Sequence, residues 1–232
     1  MNNFTFQNKI KNLNFKGIFK PTDTTRLLVN ASQKYLKKNQ RVLDLGCGGG
    51  VITYLIYNKK LNQKYYLSDL HSRAIERSRI NLKKKNISAV LSEGSLYEPW
   101  NNFKFDLIIN DVSGISSEIA RISSWFKDAP SDKAKSGISN LKKILKTSNK
   151  YMNKNSIIIF PVISLSNVNQ ALKEIKNNFK IVDLKKYYWP MPKTIIKKIK
   201  LLNDLKNKGH IRFEMKYNMF LCYTLIAVCK NK

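Results

Sequence analysis

Residues 105–110, FDLIIN, place Leu107, Ile108 and Ile109 side by side with no polar alternation. Successive side chains of a strand point to opposite faces, so this strand must be covered on both, as in the parallel sheet of an α/β protein. The run stops at Asn110 and Asp111, with Ser113-Gly114 as a turn signal behind them. Ligands bind such sheets in the crevice at the carboxyl ends of the strands, which makes the polar pair a candidate site. The alternative is that Asp111 only caps a turn or the next helix.

The flanking sequence has the matching rhythm. Thr22 or Asp23 as an N-cap, then Leu27, Leu28, Ala31 and Tyr35, predict a helix over about 23–38. RVLDLG is a strand running through a glycine-rich turn into a helix, VITYLIYN. KYYLSDL is a second strand, and HSRAIERSRINLKKK an amphipathic helix with Ala74, Ile75, Ser78, Ile80 and Leu82 near one side. ISAVLSE and FDLIIN follow as the third and fourth strands, so the pace is that of βαβ units. A long polar loop, about 111–135, carries Trp125, Phe126 and Pro130. Next come a helix near 137–150, a strand SIIIF ended by Pro161, a helix NVNQALKEIKNN and a strand FKIVDLKKYYW. A basic helix near 193–207 clusters Lys193, Lys197, Lys198 and Lys200 around Ile195, Ile196, Ile199 and Leu202, stops at Gly209, and leads to a final strand, FLCYTLIAVC. The 232 residues fit one domain, with 1–22 as an N-terminal extension and about 187–212 as a basic helical insertion before the last strand.

A net charge of +28, from 43 Lys and Arg against 15 Asp and Glu, suits a polyanion such as RNA. The surplus is mostly Lys, beside abundant Asn and Ile, which is also what an A/T-rich coding sequence produces, and Arg is the better reader of nucleic acid. Cys47, Cys222 and Cys229 are too scattered for a disulfide framework, and with His71 and His210 they supply no zinc set, so no metal is expected. The apolar runs are strand-sized, far below the roughly 20 residues of a membrane span, and MNNFTFQNKI has no signal-peptide core. The expected location is the cytoplasm.

VLDLGCGGG, residues 42–50, is the strongest local signal. Glycines let a backbone approach a ligand closely, and the following helix N-terminus offers unpaired N–H groups. The dinucleotide pattern G-x-G-x-x-G fails at Val51. Asp44, two residues ahead of the first glycine, would repel a pyrophosphate but can receive the amino group, or offset the sulfonium, of a cationic cofactor. Asp69 ends the second strand about 20 residues further on, where an acid accepts both ribose hydroxyls; otherwise it caps the helix that begins near His71.

LDLGCGGG resembles the first motif of class I S-adenosylmethionine-dependent methyltransferases. The resemblance implies a Rossmann-like, seven-stranded, mostly parallel sheet with a C-terminal antiparallel strand and helices on both faces. It also implies cofactor contacts from Asp44, Gly46, Cys47, Gly48, Gly50, Asp69, Leu70, Ser95 and Asn110, with Cys47 only a small turn residue. The family often has Asp at the position of Ser95; a serine oxygen still accepts from the adenine amino group.

FKPTDTTRLLV and EGSLYEPWNNFKFDLIIN further resemble the small-domain, HemK-like group, over roughly residues 17–160. That group includes release-factor glutamine and rRNA guanine N2 methyltransferases. Its fourth strand ends in Asn-Pro-Pro-Tyr, where this chain has Asn110-Asp111-Val112-Ser113. Asn110 keeps the group's implied role of holding the acceptor nitrogen beside the cofactor. Asp111 adds a carboxylate able to orient, or take a proton from, an attacking amine or hydroxyl. Trp125 or Phe126 would replace the missing aromatic surface for the substrate. The expectation is therefore a methyltransferase acting on a nitrogen of a protein or RNA of the translation machinery. The alternatives are a small-metabolite N- or O-methyltransferase of the same fold, or a non-catalytic cofactor- or RNA-binding module.

Overall fold

The computed structural model describes residues 1–112, 114–126 and 130–232, so Ser113 of the divergent tetrapeptide lies outside the described residues. Five parallel strands come first: β1 (Arg41–Leu45), β2 (Lys64–Asp69), β3 (Ala89–Glu93), β4 (Phe105–Asn110) and β5 (Met152–Ile163). Three more strands complete the sheet, β6 (Phe179–Pro190), β7 (Glu214–Lys216) and β8 (Met219–Asn231); β8 alone runs against the rest, pairing antiparallel with β5, β6 and β7. The order is β3-β2-β1-β4-β5-β8-β6, with β7 paired to the start of β8. The strand order reverses between β1 and β4, and such a switch point opens a crevice at the strand ends.

The unalternating run in β4 is explained by burial. Leu107 and Ile109 pack with α2 (Asp23–Ser32), α3 (Val51–Ile56) and α4 (Ser72–Lys83) on one face. Ile108 points the other way, into a cluster with Phe105, Trp100, α6 (Ser139–Thr147) and α7 (Val168–Asn178). All of these strand residues are fully buried.

Several expectations need correction. The sheet has eight strands rather than seven, because β7 forms a tight hairpin with β8 through Tyr217 and Asn218, both at positive φ (51° and 56°). That backbone belongs to a turn normally announced by glycine, and here it is not. Pro161 does not end β5; the strand continues to Ile163, beyond Ile159 where β4 stops pairing. One ladder has finished there, a setting that tolerates a residue without an N–H. The helix expected over 23–38 ends at Ser32, and Ile80 on α4 is exposed, its place on the buried side taken by Asn81.

The segment read as a long loop contains a short helix, α5 (Ser117–Ile122), and a 3-10 turn at Ser124–Phe126. The N-terminal stretch includes α1 (Asn3–Ile10), whose start is capped by Asn2 Oδ1 accepting from Thr5 N at 2.9 Å and whose Phe6 and Ile10 pack on Val51. The basic helix is two pieces, α8 (Lys193–Ile196) and α9 (Ile199–Asn207), with Ile195, Leu202 and Leu205 packed beneath α5.

Leu107→Ala should lower unfolding free energy by about 2 to 5 kcal/mol in urea titrations, since it empties a site walled on both sides. Val182→Ala, on the exposed edge strand β6, should cost no more than about 0.5 kcal/mol. Equal losses would mean that β4 is not the buried centre.

Candidate active site

A cavity of about 780 Å³ opens at the carboxyl ends of β1, β2 and β4. One half is built by the glycine turn. Gly46 N and Cys47 N donate to Ser68 O at 2.9 and 3.0 Å, and Gly48 N donates to Asp69 Oδ2 at 2.9 Å. From α4, Ser78 Oγ donates to Gly48 O and Asn81 Nδ2 to Gly49 O, both at 2.9 Å. The turn is thereby fixed to β2 and α4, with its backbone facing the cavity. Gly46 and Gly48 both have positive φ, but for different ends. A Cβ on Gly46 would sit 2.7 Å from Val112 Cγ2, whereas a Cβ on Gly48 would meet nothing within 4 Å. Gly48 leaves open space where a ligand can lie.

Asp69 accepts from Gly48 N through Oδ2 and from His71 N through Oδ1 at 3.1 Å, so it is both cap and clamp; each oxygen keeps a further lone pair toward the cavity it lines. Leu70, largely exposed, and Ser95 lie on the same wall, with Leu96 turned to positive φ beside them. Asp44 lies fully buried behind the turn. Its Oδ2 accepts from Thr53 Oγ1 and N at 2.8 and 3.2 Å, while its Oδ1 has no partner. Burial raises its pKa to about 7, against the lowering effect of the Thr53 bonds, and the nearby Asp111 and Asp69 charges push the same way. Cys47 is buried against Ser78 with its thiol held well above its usual range by desolvation, which suits a turn residue and not a nucleophile.

The other half begins at β4. The structure brings Asp111 to the cavity wall and leaves Asn110 behind it. Asn110 is 2% exposed and its Oδ1 accepts from Val112 N at 3.1 Å, shaping the turn. Asp111 N donates to Leu45 O, and Thr25 Oγ1 donates to Asp111 Oδ2 at 2.9 Å. Enclosed by protein, the Asp111 carboxyl is raised to about 7 by desolvation, with the Thr25 bond acting to lower it. Gly50 and Asp44 also stand off the cavity surface, as turn geometry and buried charge respectively.

Trp125 and Phe126 line the cavity as expected. Each is backed by an aromatic residue that sequence reasoning missed: Trp189 of β6 lies 6.2 Å from Trp125, ring to ring at 72°, and Phe19 lies 5.2 Å from Phe126. Thr25, Lys133 and Lys143 also line it and went unnoticed; only the position of Thr25 at the helix entry carried a signal. The clustered lysines of α8 and α9 do not reach the cavity, and that segment instead buttresses Trp125 and Phe126 through its apolar side. Among the described residues no group of His, Cys, Asp and Glu could hold a metal, and no helix is long and apolar enough to cross a membrane.

Residues 13–111 match the family model of the methyltransferase small domain. A ribosomal protein L11 methyltransferase of Thermotoga neapolitana is 32% identical over 90 residues, 38% of this chain and 33% of that protein. A ribosomal RNA small subunit methyltransferase C of Haemophilus influenzae is 31% identical over 98 residues, 41% of this chain and 29% of that protein. The chain thus spans about a third of the length of the curated relatives it matches. Its fold is that of a T. thermophilus 16S rRNA N2 methyltransferase solved in complex with AdoMet and guanosine, with a TM-score of 0.57 at 12% identity, covering 93% of this chain and 45% of that one.

The two glycines separate turn from ligand. Gly48→Ala should lose only the roughly 1 to 2 kcal/mol of left-handed backbone, with a melting point a few degrees lower, while placing a methyl group in the cavity. Gly46→Ala adds the collision with Val112 and should melt distinctly lower. Identical melts would contradict the open space at Gly48.

Proposed function

We propose, from the match of residues 13–111 to the methyltransferase small domain, that the chain is one catalytic unit over 1–232, with about 187–212 inserted, which methylates a nitrogen on a protein or RNA of the translation machinery. S-adenosylmethionine is its cofactor and the cytoplasm its place of work. The observation that carries this reading is the glycine turn clamped between Asp69 of β2 and Ser78 and Asn81 of α4, with Gly48 open to the cavity. The named activities of the partial relatives support it.

The residues fit this cofactor. The orphaned Oδ1 of buried Asp44 supplies negative potential under the turn for a cationic ligand. Asp69 offers spare lone pairs to ribose hydroxyls, Ser95 an oxygen to the adenine amino group, and Leu70 an apolar cover for the ring; Gly46, Cys47 and Gly50 shape the cradle and Gly48 leaves it room. When bound, S-adenosylmethionine supplies an electrophilic methyl group on a sulfonium.

The chain's own residues do the rest. Asp111 accepts a hydrogen bond from the acceptor N–H, aligning its lone pair, and takes the proton that the nitrogen sheds on alkylation. Asn110 acts from behind, by holding the Val112 N–H and hence the turn that aims Asp111. Trp125 and Phe126 exclude water and give a flat acceptor a surface to lie on. Thr25 steadies Asp111 through the 2.9 Å bond.

Calorimetric titration should show S-adenosylmethionine binding at micromolar to low millimolar concentration, weakened at least about tenfold by Asp69→Ala, which removes hydrogen bonds to a charged group. Absence of binding, or an Asp69→Ala variant equal to the parent, ends this reading. Labelled-methyl transfer to a fractionated extract then sorts RNA, protein and metabolite acceptors.

Because Asp111 must be ionised to take a proton, the rate should rise as pH climbs through about 7. Thr25→Val removes a bond that lowers that pKa, so its rising limb should move to higher pH, and Thr25→Ser should restore it. An unmoved limb would detach Asp111 from the chemistry.

A further inference from the structure

Two lysines on the cavity wall have no role in the reading above. Lys133 and Lys143 both line the cavity, and neither pairs with a carboxylate among the described residues. Their neighbours behave differently: Lys135 pairs with Glu118 at 3.4 Å and Lys142 with Glu174 at 3.5 Å. Lysines without an ion pair are common on a chain with 43 cationic residues; what distinguishes Lys133 and Lys143 is that both stand, exposed, on the wall of this cavity.

Their placement is built. Asp132, fully buried, accepts from Ala134 N at 2.8 Å and Ser139 Oγ at 2.6 Å through Oδ1, and from Asn140 N at 3.0 Å through Oδ2. This carboxylate ties the Pro130–Lys133 segment to the first turn of α6 and so fixes Lys133 on the same wall as Lys143. It also occupies the helix N-terminus, so any anion here must be held by the lysines themselves.

The cavity thus offers three chemistries: a carboxyl able to accept an N–H at Asp111, an aromatic wall at Trp125, Phe126, Trp189 and Phe19, and two cations, Lys133 and Lys143, without an ion pair among the described residues. A protein ammonium group would suit Asp111 but would be repelled by the lysines. A nucleotide carries a flat neutral base with N–H groups and an attached anion, which complements all three. We propose that the acceptor is a nucleotide, its base against the aromatic wall and Asp111 and its phosphate on Lys133 and Lys143. This rests on the methyltransferase reading and names the substrate class of the same site.

The test uses the full chain with S-adenosylhomocysteine bound, whose own calorimetric affinity reports separately on the cofactor site. Quenching of tryptophan fluorescence is read with the four nucleosides, their 5′- and 3′-monophosphates, short RNA strands, and a lysine-rich peptide. At least one monophosphate should bind at least about tenfold more tightly than its nucleoside, a difference that charge-assisted bonds account for. Lys133→Met with Lys143→Met should abolish that increment and leave nucleoside and S-adenosylhomocysteine affinities unchanged. The control pair Lys135→Met with Lys142→Met should keep it.

Tighter binding of RNA strands than of monophosphates would place the nucleotide in a chain, and equal binding would make it free; both keep the proposal. It is overturned if phosphate adds nothing, if the control pair loses as much as the cavity pair, or if only the peptide binds. Failure to bind S-adenosylhomocysteine would instead strike the methyltransferase reading itself.

Discussion

The turn from Gly46 to Gly50 is held by its neighbours, and the rest of the site depends on that clamp. Its N–H groups go to β2, at Ser68 O and Asp69, and its carbonyls to Ser78 and Asn81 of α4. Burying Ser78 and Asn81 would be costly on a helix face unless their polar atoms were satisfied, and the turn satisfies them. Asn81 also accepts from Asn14 N and donates to Asn14 O, so the N-terminal segment is fastened to the same point. One amide joins three parts of the chain distant in sequence, and with them it fixes the floor against which Asp69 and Gly48 are placed.

The opposite half of the cavity is assembled from pieces that share no local pattern. Trp125 meets Trp189 from β6, Phe126 meets Phe19 from before the first strand, and α8 with α9 fills the space behind them. Thr25 reaches Asp111 across 86 positions of sequence. Such contacts are products of the whole topology, which brings the N-terminal segment, β4 and the β6 edge to one mouth.

This difference decides what the sequence could reveal. The unalternating β4 run, the Asp44 to Gly50 motif and Asp69 belong to adjoining βα units, so spacing alone located them. Asn110 and Asp111 were recognised as a pair, but not which of them meets the cavity, because that depends on how the turn closes: Asn110 spends its side chain on Val112 N, and Asp111 is left to face in. Hairpin β7–β8 escaped notice because Tyr217 and Asn218 adopt positive φ without glycine. Lys133 and Lys143 were invisible among 43 cationic residues, and only their place on the cavity wall singles them out.

The scarcity of acids makes their placement informative. Of 15 carboxylate residues, Asp69 and Asp111 line the cavity and Asp44 lies buried behind its glycine turn; Asp44 and Asp111 are raised to about 7 by burial, Asp44 further by the charges of the other two. Asp44 carries the cost: burial disfavours its ionised form and the charges of Asp111 and Asp69 disfavour it further, which opposes folding of the empty protein at neutral pH. A chain with a net charge of +28 has many cations that could have answered them, yet none of these three forms an ion pair among the described residues. On the proposed reading the missing counter-charge arrives with the ligand: a bound cation lowers the pKa of Asp44, and the same field draws Asp111 toward its ionised, proton-accepting form. Cofactor binding would then prepare the acceptor end electrostatically, with no movement of the backbone between them.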